Sequence, residues 1–78
     1  MSRLPTLPAL EVVRAFQPLG WHEARRSGSH IIMVKEGHIA TLWVPNHRQV
    51  ARGTLRSLIR SAGLTVKEFQ SALSRASG

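Results

Sequence analysis

The chain has 78 residues, with 11 Lys plus Arg against 4 Asp plus Glu, a formal charge of +7 with the four histidines neutral. That length suits one domain and excludes a large multi-site enzyme, and a 42% hydrophobic, 19% charged composition excludes a disordered chain. Cysteine is absent, which removes disulfides, thiolate nucleophiles and Cys-based zinc sites. The longest unbroken apolar run, residues 31–34, is far below the roughly 20 residues that span a bilayer. Residues 1–10 carry two prolines and no apolar signal-peptide core. A small cytoplasmic domain is expected.

Residues 1–7 read as a polar, proline-containing lead-in, loosely held. Leu10, Val13 and Phe16, with Val12 beside them, fall on one stripe and predict a helix over 8–19, with Pro8 in its first turn. Pro18 and Gly20 end it. Three short strands follow: 21–26, which alternates loosely, 30–34, rich in β-branched residues, and 39–44. Ser27-Gly28-Ser29 and Glu36-Gly37 are the turns between them, and Pro45 stops the third strand. Residues 46–52 form a polar, basic loop.

A second helix is predicted over 54–62, with Leu55, Leu58, Ile59 and Ala62 on its apolar face and Gly63 just past its end. Thr65-Val66-Lys67-Glu68 has capping-box spacing, so a short third helix should run from 66 to about 73, anchored by Phe69 and Leu73. Residues 74–78 should fray. The order predicts a single α+β domain over 1–78, built of two layers. Alternation on the third strand sets Ala40, Leu42 and Val44 against Ile39, Thr41 and Trp43. Helices can cover one face of the sheet. Either the other face exposes Trp43 and part of the middle strand as an interface, or the C-terminal helix folds over it.

The charge needs a partner. Arg outnumbers Lys nine to two, and guanidinium favours planar, bidentate contact with phosphate or carboxylate. Neither a basic amphipathic helix nor a lysine tail points to a membrane, so nucleic acid or an acidic protein is the better partner. No P-loop, dinucleotide fingerprint or HExxH pair occurs. Glu11, Glu23, Glu36 and Glu68 are scattered, and His22, His30, His38 and His47 lack structural-zinc spacing, so neither a metal nor another cofactor is expected. Histidine set among arginines remains. It suits phosphodiester cleavage in which a general base activates a 2′-hydroxyl and cations stabilise the transition state.

His30 stands out, because it follows Gly28-Ser29 at the mouth of a strand, just after Arg25 and Arg26, whose guanidiniums should flank its ring. The plain alternative is a surface histidine at a loop edge. His47 sits similarly on a loop, whereas His22 and His38 read as ordinary exposed residues. Arg52, Arg56 and Arg60 recur every four residues along one face of the second helix. That row is a solvated face, a phosphate track for RNA, or a dock for acidic side chains.

Gly28-Ser29-His30, Val44-Pro45-Asn46-His47, Gly53-Thr54-Leu55-Arg56 and Ala62-Gly63-Leu64-Thr65 occur in the order and spacing of HicA-type toxins, and Leu19-Gly20-Trp21 is similar to that family's helix exit. The resemblance covers about residues 8–73. It implies a double-stranded-RNA-binding-like fold and a sequence-relaxed endoribonuclease acting on mRNA. It also implies a HicB-type antitoxin that covers the active site. The family's catalytic histidine, the one after Gly-Ser, corresponds to His30, and Trp43 departs from the small or polar residue the family more often shows. With Arg25, Arg26, Ser29, His47, Arg52, Arg56 and Arg60 as RNA-binding candidates, the expected function is a metal-independent toxin ribonuclease. A non-catalytic RNA-binding module, or a basic domain that binds an acidic protein, are the alternatives.

Overall fold

A computed structural model describes residues 4–77. Its elements are α1 (Ala9–Phe16), a 3-10 turn (Gln17–Leu19), β1 (His22–Ser27), β2 (His30–Val34), β3 (Leu42–Pro45), α2 (Arg52–Ser61) and α3 (Val66–Ser77). The strands make one antiparallel meander with β2 in the middle. Helix, three-stranded sheet and two helices is the α+β order expected. No helix among the described residues is long and apolar enough to cross a membrane.

The helical layer forms because each helix has a stripe to bury. In α1 the buried residues are Ala9, Val12, Val13, Ala15 and Phe16, and Leu10 is 52% exposed. The stripe therefore runs through Ala9, Val12, Val13 and Phe16 at helical spacing, and Leu10 does not belong to it. The α-helix stops at Phe16, earlier than the expected 19, because Pro18 cannot continue its ladder and the chain tightens into the 3-10 turn. Gly20, at φ +97°, then closes it: its N–H donates to the Gln17 carbonyl, and the Trp21 N–H to Phe16. That turn drops Trp21 into the core, edge-on to Phe16 at 6.4 Å, while Phe16 meets Phe69 of α3 at 5.1 Å.

The third strand is shorter than expected. Residues 39–41 are not part of it, and Ile39 is fully exposed. Local bonds replace strand pairing here: the His38 N–H bonds the Lys35 carbonyl, and the Ala40 N–H bonds His38 Nδ1 at 3.2 Å. Pairing with β2 starts only at Met33 opposite Leu42. His38, read as an ordinary exposed residue, is half-buried, with its ring 4.9 Å from Trp21. It fastens the β2–β3 connection to the core.

α2 begins at Arg52, two residues before the expected start, and buries Leu55, Leu58 and Ile59. Gly63 ends it as expected, with Gly63 N–H on the Arg60 carbonyl and Leu64 N–H on Ile59. The capping box is formed in both directions: Thr65 N–H to Glu68 Oε1 at 2.8 Å, and Glu68 N–H to Thr65 Oγ1 at 3.1 Å. α3 continues past the expected 73 to Ser77. The lead-in is also better held than expected. Leu4 is 2% exposed, its carbonyl accepts Arg52 Nε at 2.7 Å, and Leu7 bridges Val50. Residues 1–3 and 78, the rest of the two segments expected to be loose, lie outside the described residues.

Candidate nucleic-acid interface

Strand register decides which side chains share a face. Ile31 pairs with Val44 and Met33 with Leu42, and all four join the helices in one core cluster. The alternate positions, His30 opposite Pro45 and Ile32 opposite Trp43, therefore look the other way. Ile32 is absent from that cluster, and Trp43 is 49% exposed. α3, whose Phe69 packs on Phe16, lies on the helical side. It does not fold over Trp43. The face is open.

His30 owes its position to the turn before it. Ser27 pairs with His30, so Gly28 and Ser29 are the two residues of the hairpin turn, with Gly28 at φ +57° where a side chain would be strained. Pro45 has no N–H, and the next donor, Asn46 N–H, bonds the Ser29 carbonyl at 2.7 Å. His47 N–H turns back to the Pro45 carbonyl at 2.8 Å, and the His47 carbonyl accepts Ala9 N–H at 3.0 Å. The Gly-Ser-His and Val-Pro-Asn-His segments are thus locked together against the start of α1. The half-buried His30 ring meets Trp43 at 5.9 Å with planes 69° apart.

The two arginines expected beside His30 separate. Arg25 pairs with Ile32 and so shares the open face with His30 and Trp43. Arg26 pairs with Ile31 and points to the other side. The register shift between Glu23 and Arg25 brings Glu23 onto the side of Arg26, despite a spacing of three residues. Their ion pair is 3.0 Å long, and the Glu23 hydrogen bond and charge raise the Arg26 pKa further above its ordinary value. Arg26 is a paired cation on the helical side of the sheet; Arg25 is the cation on the face of His30.

The remaining candidates sit elsewhere. Ser29 lies in the turn and His47 in the loop after β3, both exposed, and the exposed Arg48 follows His47. The sequence reading placed that loop as basic without singling out Arg48. Arg52, Arg56 and Arg60 are exposed on α2, whose buried side joins the core on the helical side of the sheet. The structure does not bring that row onto the face of His30. Arg52 also spends one donor on the Leu4 carbonyl. None of the four carboxylates stands on the open face of the strands: Glu11 is on α1, Glu23 faces away, Glu36 is in the β2–β3 turn and Glu68 caps α3. Among the described residues no group of three or more histidines and carboxylates is placed to hold a metal ion.

This face can offer an imidazole, an indole and a guanidinium to an anionic ligand with flat groups. No curated relative matches the chain. The family model of the HicA toxin of bacterial toxin–antitoxin systems matches residues 10–64, which span β1, β2, β3, α2 and the whole Gly-Ser-His and Val-Pro-Asn-His assembly. With most of its length and its locked histidine turn inside that match, the chain belongs to the HicA toxin family and is the toxin of a toxin–antitoxin pair.

Proposed function

We propose that the chain is an endoribonuclease that cuts mRNA without a metal ion, with His30 as its catalytic residue. The observation that supports it is the placement of His30: a half-buried imidazole, its backbone held between Ser27 and Pro45, on a face that carries Arg25 and no carboxylate. The His30 imidazole takes the proton of a ribose 2′-hydroxyl, and the 2′ oxygen attacks the adjacent phosphorus. The bond from phosphorus to the 5′ oxygen breaks, and the imidazolium returns the proton to that oxygen. The products are a 2′,3′-cyclic phosphate and a 5′-hydroxyl. Arg25 is placed to offset charge on the phosphate, while Ser29 in the turn and His47 in the loop after β3 are polar groups that add contacts to the RNA. A cognate antitoxin is the partner that membership of the family implies, and we take it to be a HicB-type protein that covers His30.

His30→Ala tests the reading. A positioned acid–base group contributes on the order of 10² to 10⁴ in rate, and the variant should lose that much cleavage while keeping its circular dichroism spectrum. Cleavage should survive EDTA, and a single 2′-deoxy substitution 5′ of the cut should block it. A folded His30→Ala protein that cuts at the parent rate removes the assignment. Products ending in a 3′-hydroxyl would point to metal-activated water instead.

A further inference from the structure

We propose that Trp43 is a base-stacking residue: its indole holds the nucleobase beside the scissile phosphate and so gives this ribonuclease a preference for strongly stacking bases. The proposal rests on the ribonuclease reading and names the group that positions its substrate. Three observations lead to it. Trp43 is 49% exposed on the open face, on the β3 edge strand beside Ile32, whereas the chain's other tryptophan, Trp21, is 1% exposed. Alternation points Trp43 outward, away from the core that Leu42 and Val44 fill, with Ile32 as its cross-strand neighbour on that face. Finally, it touches the proposed catalytic group, with ring centroids 5.9 Å apart and planes at 69°.

A base stacked on the indole lies within reach of the His30 imidazole, because the two ring centroids are only 5.9 Å apart. Arg25 stands across Ile32 from Trp43 on the same face, positioned for a backbone phosphate. The absence of carboxylates from this face favours a polyanion as occupant. Open sheets that bind single-stranded RNA commonly combine an aromatic platform with cationic flanks in this way. An acidic protein would match the charge alone, whereas a polynucleotide matches both the charge and the flat ring.

Uncleavable 2′-O-methyl oligonucleotides of adenine and of uracil, with an abasic oligomer of equal length, separate the possibilities. Binding to parent and variants is followed by the fluorescence anisotropy of a 5′-labelled oligonucleotide, and in the parent also by Trp43 emission, for which the buried Trp21 is a constant background. The adenine oligomer should quench emission and bind more tightly than the uracil one. Trp43→Ala should lose about 5- to 150-fold in affinity for the adenine oligomer, the loss expected for one stacked base. Trp43→Phe should lose less. The abasic oligomer should bind all three proteins alike, with the same salt dependence. With cleavable RNA, Trp43→Ala should raise KM more than it lowers kcat. Equal affinity of parent and Trp43→Ala for the adenine oligomer overturns the stack, as does an equal loss with the abasic oligomer. So does a variant impaired only toward the antitoxin. A parent protein that binds none of the oligomers overturns the RNA reading itself, and that outcome is visible before any variant is made.

Discussion

The two faces of the sheet are made from the same strands and have opposite chemistry. Toward the helices stand Ile31, Met33, Leu42 and Val44, none more than 2% exposed, packed with residues of all three helices. Away from them stand His30, Trp43 and Arg25 around Ile32, which is 3% exposed although the helical core does not include it. Ile32 lies between Arg25 and Trp43 in the register, so same-face neighbours supply its cover. One face carries the folding energy of a small domain. The other lies outside the helical core, and there His30, Trp43 and Arg25 stand together.

The comparison is broken most directly on β3, where adjacent residues belong to different faces. Leu42→Ala removes a fully buried side chain and should cost about 2–5 kcal/mol, a large part of the stability of a domain this small. Trp43→Ala, next to it, removes a larger side chain that is half in water, and should cost about 1 kcal/mol or less. Urea unfolding of the two variants measures both. If Trp43→Ala is the more damaging, the open face is part of the core and the division between faces is wrong.

Alternation made that division readable from sequence: the expected partition of Leu42 and Val44 from Trp43 is the one found. Periodicity also placed α2 and α3, and the capping box formed between Thr65 and Glu68 as read. Short-range patterns failed where a tertiary bond decided the outcome. The run 39–41 has strand composition, but His38 captures the Ala40 N–H and ends the pairing early. Arg25 and Arg26 look like neighbours of one histidine in the sequence, but alternation counted back from the Ser27–His30 pair sets them on opposite faces. The lead-in has a loop composition, and its order comes from residues 43 or more positions away, Val50 and Arg52. His30 was legible from the Gly-Ser turn before it, whereas its contact with Trp43 depends on a pairing that no local pattern states.

That long-range tie gives a second test, confined to the helical side. Arg52→Ala leaves the Leu4 carbonyl without its guanidinium partner and should lower unfolding free energy by about 1–2 kcal/mol. Hydrogen exchange at the Val50 amide, which donates to Leu7, should rise with it. A change in RNA binding with no change in stability would move Arg52 from the fold to the interface.

β1 offers a smaller and sharper contrast. Arg25→Ala should weaken single-stranded RNA binding several-fold and reduce the salt slope by about 0.7, the value for one lost phosphate contact. Arg26→Ala should leave both unchanged, because Arg26 faces away and is paired with Glu23. Titrations at three salt concentrations are sufficient. Equal slopes for the two variants would mean that strand register does not govern which arginine meets RNA.

The smallest effect is expected from the arginine row on α2. Arg56 and Arg60 are exposed but lie on the helical side, so a partner that covers His30 would feel their charge without touching them. Charge at a distance acts on association, whereas close contacts set dissociation. Arg56→Glu with Arg60→Glu reverses two of the 11 cationic charges and should slow association with the antitoxin several-fold at low salt. The deficit should shrink as the Debye length falls from about 30 Å at 0.01 M to about 8 Å at 0.15 M salt. Dissociation should stay at the parent rate. Stopped-flow traces at those two salts separate three cases. Slower association alone assigns the row to steering, and faster dissociation would place it inside the antitoxin contact. Unchanged rates leave it a solvated helix face, and the attraction for the partner then resides on the His30 side of the sheet.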